Sequence, residues 1–456
     1  MFKKILVANR GEIAVRIIRA CREMGIQTVA VYSTADAEAL HVKMADEAIC
    51  IGNPLPKDSY LNMENIISAA IGTGAEAIHP GFGFLSENTK FARICENCNI
   101  KFIGPDAQMI EDMGDKSRAR EMMIKAGVPV VPGSEGTIET MDQSRKIALE
   151  IGYPVIIKAS SGGGGRGMRV VWNEPELEKA IRAAKAESKG AFGDDAVYME
   201  KYIVNPRHIE FQIVGDDQGN IVHLGERDCS LQRRHQKMVE ESPSPVLTEA
   251  QRQAMGQDAV KAAKAVGYCN AGTIEFIMDH DGNYYFIEMN TRIQVEHPVT
   301  EMVTGVDLVQ EQIRVAAGET LSFTQDDIKI TGHAIECRIN AENPNFNFRP
   351  CAGRISGLHL PGGRNVRIET AIYDGYCVPH TYDSMLLKVI TYGKDRQEAM
   401  SVMRRALGEL VIEGIDTNID FQYQLIHMPQ FETGDFDTSF IQRELTSIMA
   451  SMEVAD

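Results

Sequence analysis

Two short runs in the second half of the chain carry oxygen ligands at strand spacing: Thr273-Ile274-Glu275-Phe276-Ile277 and Phe286-Ile287-Glu288-Met289-Asn290. Residues two apart on a strand share a face, so Glu288 and Asn290 point together. A hairpin turning through Asp281-Gly282 brings Glu275 beside them. Two carboxylates and an amide oxygen among apolar neighbours suit Mg2+ or Mn2+ shared with phosphate groups. The plainer reading is a pair of solvent-facing strand residues; against it, the strands look internal, and unpaired carboxylates there would be costly. Arg292-Ile293-Gln294-Val295-Glu296-His297-Pro298 follows at once. Arg292 can clamp an oxyanion with two hydrogen bonds and Glu296 can remove a proton, which describes a place where a small oxyacid is held and deprotonated beside a nucleotide. Lys237, in Arg233-Arg234-His235-Gln236-Lys237, adds positive charge. Taken singly, each of these is an ordinary surface charge.

A third motif is Ser160-Ser161-Gly162-Gly163-Gly164-Gly165-Arg166-Gly167. It contains a GxGxxG, but a dinucleotide fingerprint joins a strand to a helix, and here a second strand follows. The glycines therefore read as a flap whose backbone N–H groups cover phosphates, with Lys158 and Lys116 as the accompanying cations. No GxxxxGK[ST] is present. Cys95 and Cys98 have a metal-like spacing, but they sit on an amphipathic helical run with no second such pair, so a structural role is expected.

These side chains need several elements to hold them. A chain of 456 residues calls for more than one core, and three domains are expected. With 44% hydrophobic and 24% charged residues and no apolar run near about 18 residues, the composition is that of a globular protein without a membrane span. The basic start is too short in apolar residues for an export signal, so a cytoplasmic protein is expected. A net charge of −17 disfavours nucleic acid and anionic membrane as partners. Nine scattered cysteines suit a reducing compartment.

Strand and helix patterns alternate over 4–8, 11–23, 28–32, 59–71, 76–79, 87–98 and 101–103, which predicts a parallel sheet covered by helices. Its ligand edge is formed by the loops Asn9-Arg10-Gly11 and His79-Pro80-Gly81-Phe82-Gly83. A boundary is expected near Asp115-Lys116. Beyond it, strands are predicted at 154–159, 168–172, 197–203, 208–214, 221–224, 272–278 and 284–290, with a long helix over 248–266. From about His333, short strands give way to a helix over 397–410, a third, mixed domain.

Taken in order, these motifs resemble the biotin carboxylase family of the ATP-grasp superfamily over nearly the whole chain. The resemblance rests on Ala8-Asn9-Arg10-Gly11-Glu12-Ile13-Ala14, on His79-Pro80-Gly81-Phe82-Gly83-Phe84-Leu85-Ser86-Glu87-Asn88 and on the glycine flap. It also rests on Met199-Glu200-Lys201-Tyr202, Glu226-Arg227-Asp228-Cys229-Ser230 and the run from Phe286 to Pro298. It implies a Rossmann-like N-terminal domain (1–114), an ATP-grasp domain (115–330, lid at about 131–203) and an α+β C-terminal domain (331–446).

It also implies that ATP is bound by Lys116, Lys158, His208, Gln232 and His235 and by the flap at Gly164 and Gly165. Glu200 and the backbone of Lys201, Tyr202 and Ile203 would hold adenine, and Glu275, Glu288 and Asn290 two metal ions. Lys237, Arg292, Gln294 and Val295 would bind bicarbonate and Glu296 would deprotonate it. Carboxyphosphate would then form and break into CO2 and phosphate, and Arg338 would stabilise the biotin anion that attacks CO2. Two departures stand out. Phe82 replaces a tyrosine common in relatives, keeping a ring for biotin without its hydroxyl, and Ser161 replaces the first flap glycine. The chain has no Ala-Met-Lys-Met biotinylation motif, so the implied partners are a separate biotin carboxyl carrier protein and a carboxyltransferase, and the implied assembly is a homodimer. Acetyl-CoA carboxylase and fatty acid synthesis are the favoured setting, with a pyruvate or propionyl-CoA carboxylase as alternatives. Another ATP-grasp ligase would lack the 292–296 segment together with Arg338, and a silent ATP-binding regulator would lack the full acid–base and metal set.

Overall fold

The computed structural model describes residues 1–134, 136–160 and 168–455. Its first strand, β1 (Lys4–Val7), is apolar after its first residue and pairs in parallel with β2 (Gln27–Ser33) and β4 (Ala77–His79). Parallel pairing needs a crossover, which α1 (Gly11–Glu23) supplies. Ile13, Ala14, Ile17, Ile18 and Cys21 recur at helical spacing along α1 and are all buried. With β3 (Glu47–Gly52) and β5 (Lys101–Phe102) the sheet runs β3-β2-β1-β4-β5. The strand order reverses beside β1, and the two loops expected to form the ligand edge leave β1 and β4 there. Asn9 ties them together, its Nδ2 donating to the carbonyls of Pro80 and Phe82 at 2.6 and 2.8 Å. Arg10 pairs bidentately with Asp36 (2.7 and 2.8 Å) and lies over the ring of Tyr382, which anchors this edge to the C-terminal region.

Two elements differ from expectation here. β3 is a half-exposed edge strand without clear alternation, so its pattern is weak. The helix expected at 59–71 begins at Met63, because Asn62 caps it by accepting from the Asn65 amide and residues 56–58 form a tight turn instead.

A small antiparallel sheet follows, with β6 (Val155–Ala159) between β7 (Arg169–Val171) and β8 (Val197–Lys201). Helices Met141–Ile151 and Glu174–Phe192 cover it, and Val155, Ile157, Val171, Leu177, Ile181 and Met199 form a core of its own. The flap residues between β6 and β7, Ser161 with Gly164 and Gly165 among them, lie outside the described residues.

The largest sheet is antiparallel and holds β9 (Arg207–Gly215), β10 (Ile221–Arg233), β11 (Gln236–Ser242), β12 (Asn270–Met278), β13 (Tyr284–Asn290) and β14 (His333–Asn340). Its order is β13-β12-β9-β10-β11-β14, continuing into strands Met385–Gly393 and Val366–Thr370, so one sheet runs across the expected boundary near residue 330. Sequence patterning ends β10 at Leu224, where Glu226-Arg227-Asp228 breaks the apolar run. The strand continues to Arg233 because each charge has a partner: Glu226 with Arg252, Arg227 with Glu210 and Asp228 with Arg207. β10 and β11 join through a two-residue turn in which Arg234 and His235 both have positive φ (51° and 65°). Helix Glu249–Ala265 starts on a Thr248–Gln251 capping box and packs on β9 and β10. All nine cysteines are free thiols, Cys95 buried within its helix. No helix among the described residues is long and apolar enough to cross a membrane.

Candidate active site

Strand register builds the site. Across β10, β9, β12 and β13, Arg227 lies opposite Glu210, Glu210 opposite Glu275, and Glu275 opposite Glu288. Like charges facing one another across strands repel, so cations must interleave. Arg227, fully buried, donates from Nε to Glu210 Oε1 at 2.5 Å and from its other nitrogens to Gln212, Thr300 and Thr273. Lys237 Nζ lies 2.5 Å from Glu210, 2.6 Å from Glu296 and 3.2 Å from Glu275. His208 Nε2 lies 2.9 Å from Glu275 Oε2, and its Nδ1 lies 3.0 Å from the Gln232 amide. Lys116 Nζ donates to Glu288 Oε2 at 2.9 Å.

The loop after β13 folds over this row. Asn290 and Gln294 both donate to Glu275 Oε1, at 2.7 and 2.8 Å, while Asn290 Oδ1 accepts from Arg292 at 3.0 Å. The Val295 carbonyl accepts from Lys388 Nζ at 2.7 Å. Glu87, from the first domain, accepts from the Thr291 amide and from Arg292 Nε, at 3.0 and 2.9 Å. Arg338, on β14, donates to Glu240 at 2.6 Å and to Glu296 at 2.9 Å.

Burial opposes ionisation of Glu296, but Lys237, Arg338 and Arg227 outweigh it and hold its carboxyl well below the ordinary value. Glu275 is likewise held low, against burial, by Lys237 and His208. Both are therefore carboxylates at neutral pH, and Glu296 is in the form that can accept a proton. Glu275 and Glu288 on facing strands, with Asn290 two residues beyond, supply the oxygen donors that a hard divalent cation needs, and the set fits Mg2+.

A pocket between the small sheet and β12–β13 brings together Lys116, Arg120, Lys158, Tyr198, Glu200 and Phe286. Glu200 accepts from Lys158 Nζ at 2.5 Å and from Arg120 at 3.4 Å. Beside it, the Lys201 and Tyr202 amides donate to the carbonyls of Pro132 and Pro154, the Lys201 ammonium to Gly152 and Tyr153, and Ile203 is half-buried.

Two expected residues stand apart. His235 is exposed on the β10–β11 turn and makes no bond to the cluster among the described residues, and Phe82 packs against an apolar core that the first domain shares with residues such as Val214, Ile293 and Leu308. Glu210, Glu240, Lys388 and the role of Glu87 escaped the sequence reading. Glu210 had a signal, since it lies two residues after His208 on one strand; Glu240 and Lys388 are brought in by pairing between distant strands, which sequence spacing does not show.

The fold and the cluster together define an enzyme that uses ATP to activate a small oxyacid. Residues 1–110 match the biotin carboxylase N-terminal domain, 115–324 the carbamoyl-phosphate synthase L chain ATP-binding domain, and 336–443 the biotin carboxylase C-terminal domain. The chain is 60% identical over 443 residues to biotin carboxylase 1 of Bacillus subtilis, covering 97% of this chain and 98% of that one. It is 55% identical over 452 residues to a pyruvate carboxylase subunit of Methanothermobacter thermautotrophicus, covering 99% and 92%. Among solved structures, the biotin carboxylase domain dimer of Hydrogenobacter thermophilus 2-oxoglutarate carboxylase, in complex with MgADP, ADP and bicarbonate, superposes with a TM-score of 0.93 at 54% identity over 98% and 99% of the two chains. Biotin carboxylase from Campylobacter jejuni does so at 0.93 and 52% identity, over 97% and 99%. The chain belongs to the biotin carboxylase family and is an ATP-dependent carboxylating ligase.

The buried row yields a stability prediction. Arg227→Ala strands Glu210 with half its positive charge and should cost about 3–5 kcal/mol. Denaturant unfolding checks this, and a loss below about 1 kcal/mol, the worth of an exposed pair, would show that the row is not held by charge pairing.

Proposed function

We propose that the chain carboxylates biotin borne on a separate carrier protein, using bicarbonate and ATP through carboxyphosphate. One observation carries the reading: Glu296, kept ionised, lies between Lys237 and Arg338 in the same cluster as the Glu275–Glu288 pair. Lys116, Lys158, His208, Gln232 and His235 bind the nucleotide, and Glu200 with residues 201–203 holds its base. Glu275, Glu288 and Asn290 hold two Mg2+ or Mn2+ ions, which when bound neutralise charge on the phosphates.

Bicarbonate lies among Lys237, Arg292, Gln294 and Val295 and gives its proton to Glu296. Its oxygen attacks the γ-phosphorus, the bond to the bridging oxygen breaks, and ADP leaves. Carboxyphosphate then separates into CO2 and phosphate, and that phosphate takes the N1 proton of biotin. Arg338 stabilises the enolate-like anion, and N1 attacks CO2.

The functional divisions are 1–114, 115–330 with a lid at about 131–203, and 331–446. Two copies pair as a homodimer and work in the cytoplasm with a biotin carboxyl carrier protein and a carboxyltransferase, as the first half-reaction of acetyl-CoA carboxylase in fatty acid synthesis. The Methanothermobacter relative, named for a pyruvate carboxylase, favours a second setting, with a keto acid as final acceptor. Purifying the chain with its native partners and identifying the carboxyltransferase decides between them.

Glu296→Gln keeps shape and loses the base, so ATP binding should persist while biotin-dependent turnover falls by about 10² to 10⁴-fold. Near-normal turnover in the folded variant would remove Glu296 from that role. Arg338→Gln should uncouple the reaction, with bicarbonate-dependent ATP cleavage surviving better than carboxybiotin formation. Equal loss of both would make Arg338 a structural residue.

A further inference from the structure

Two more carboxyl groups lie on the face of the sheet that bears Arg338. β11 and β14 pair with Glu240 directly opposite Glu336, and Arg338 stands two residues beyond Glu336 on the same face. The reverse face, with Val239, Ile335 and Cys337, enters the apolar core. The glutamate face is roofed by helix His297–Thr304, whose Val299 and Val303 pack on Ala334 and Ile390. Both glutamates are fully buried. Glu240 Oε1 accepts from Arg338, but Glu240 Oε2 and both oxygens of Glu336 have no hydrogen-bond donor among the described residues.

The surrounding charges are already committed. Lys237, on β11, is held by Glu210 and Glu296, and Arg338 by Glu240 and Glu296. Lys388, on strand Met385–Gly393, donates to the Val295 carbonyl and lies 3.1 Å from Glu12 of α1. His297, from the roof, is kept neutral by burial and by Lys388. Opposed residues of an antiparallel pair have Cβ atoms about 4.5–5.5 Å apart, too close for two buried carboxylates to ionise together without a cation between them. Burial, with Arg338 opposing and Glu296 assisting, pushes Glu240 up to about 7. Burial pushes Glu336 up as well, against Lys388 and with Glu240 assisting.

We propose that Glu240 and Glu336 form one carboxyl pair sharing a single proton, and that this pair positions Arg338 and limits the negative charge behind it. Glu240 engages Nε and Nη2 of the guanidinium, which fixes its plane and leaves Nη1 to neither carboxylate partner. With the proton present, the pair sets one negative charge behind Arg338. As pH rises and the proton leaves, two charges oppose the cation, and its hold on an anion in front weakens. This inference rests on the assignment of Arg338 to the biotin anion.

Infrared spectra of the whole enzyme across pH read the proton directly. The wild type should show a buried protonated-carboxyl band at neutral pH that fades on alkalinisation, and Glu336→Gln should lack it. The ratio of phosphate released to carboxybiotin formed reads the positioning. Glu240→Gln, losing a charge-assisted hydrogen bond, should raise the ratio about tenfold, with Glu240→Asp in between. The alkaline rise of the wild-type ratio should vanish in Glu336→Gln, with melting temperatures confirming that the variants fold. A wild type without the band overturns the pair. The band together with an unmoved Glu240→Gln ratio, while Arg338→Gln uncouples, overturns the positioning role. If Arg338→Gln leaves the ratio unmoved, the assignment of Arg338 falls, and the positioning role with it.

Discussion

Glu210, Glu275 and Glu288 stand in register on three neighbouring strands, and their mutual repulsion is the constraint that the rest of the site answers. In a buried sheet such a row persists only if cations are brought to it from outside the row. Arg227 comes from the next strand, Lys237 from the far end of the β10–β11 hairpin, His208 from two residues along β9, and Lys116 from the helix that opens the second region. This explains why β10 carries charge through its middle: it and its neighbours deliver the counter-charges.

The same pairing prepares the chemistry. A cluster in which every carboxylate is matched by a cation that can be reassigned accommodates polyanionic phosphates and a small oxyanion without burying new unpaired charge. Lys237 is central because it touches both the Glu275 side and Glu296. In the proposed reaction, an anion that takes over Lys237 would relieve the restraint that holds Glu296 at low basicity and make Glu296 a stronger base as the proton is removed. Arg338 contacts the other oxygen of Glu296, so in the proposed reaction proton acceptance and stabilisation of the second anion are linked through one carboxylate.

Much of this was legible in the chain. Period-two spacing placed Glu288 and Asn290 on one face, and Asp281-Gly282 closed the hairpin that set Glu275 opposite Glu288, within two residues of the expected strand limits. Helix α1 was read to the residue because its apolar spacing is unbroken. β10 was cut short because charged residues in a strand interior look like a loop until their partners, far away in sequence, are known. β11 was missed for the same reason, with Lys237, Glu240 and Glu241 along its length. Glu240 could be placed behind Arg338 only once β11 was seen to pair with β14, a contact nearly a hundred residues apart in the chain.

In the proposed reaction one cluster holds ATP and the oxyacid together, so that phosphoryl transfer waits for the second substrate. Phosphate release from MgATP in solution rigorously freed of bicarbonate, then with bicarbonate restored, measures this directly. Release should fall to background without bicarbonate and return in proportion to it, rising further with free biotin. Metal-dependent ATP cleavage that proceeds at the same rate in its absence would contradict the account.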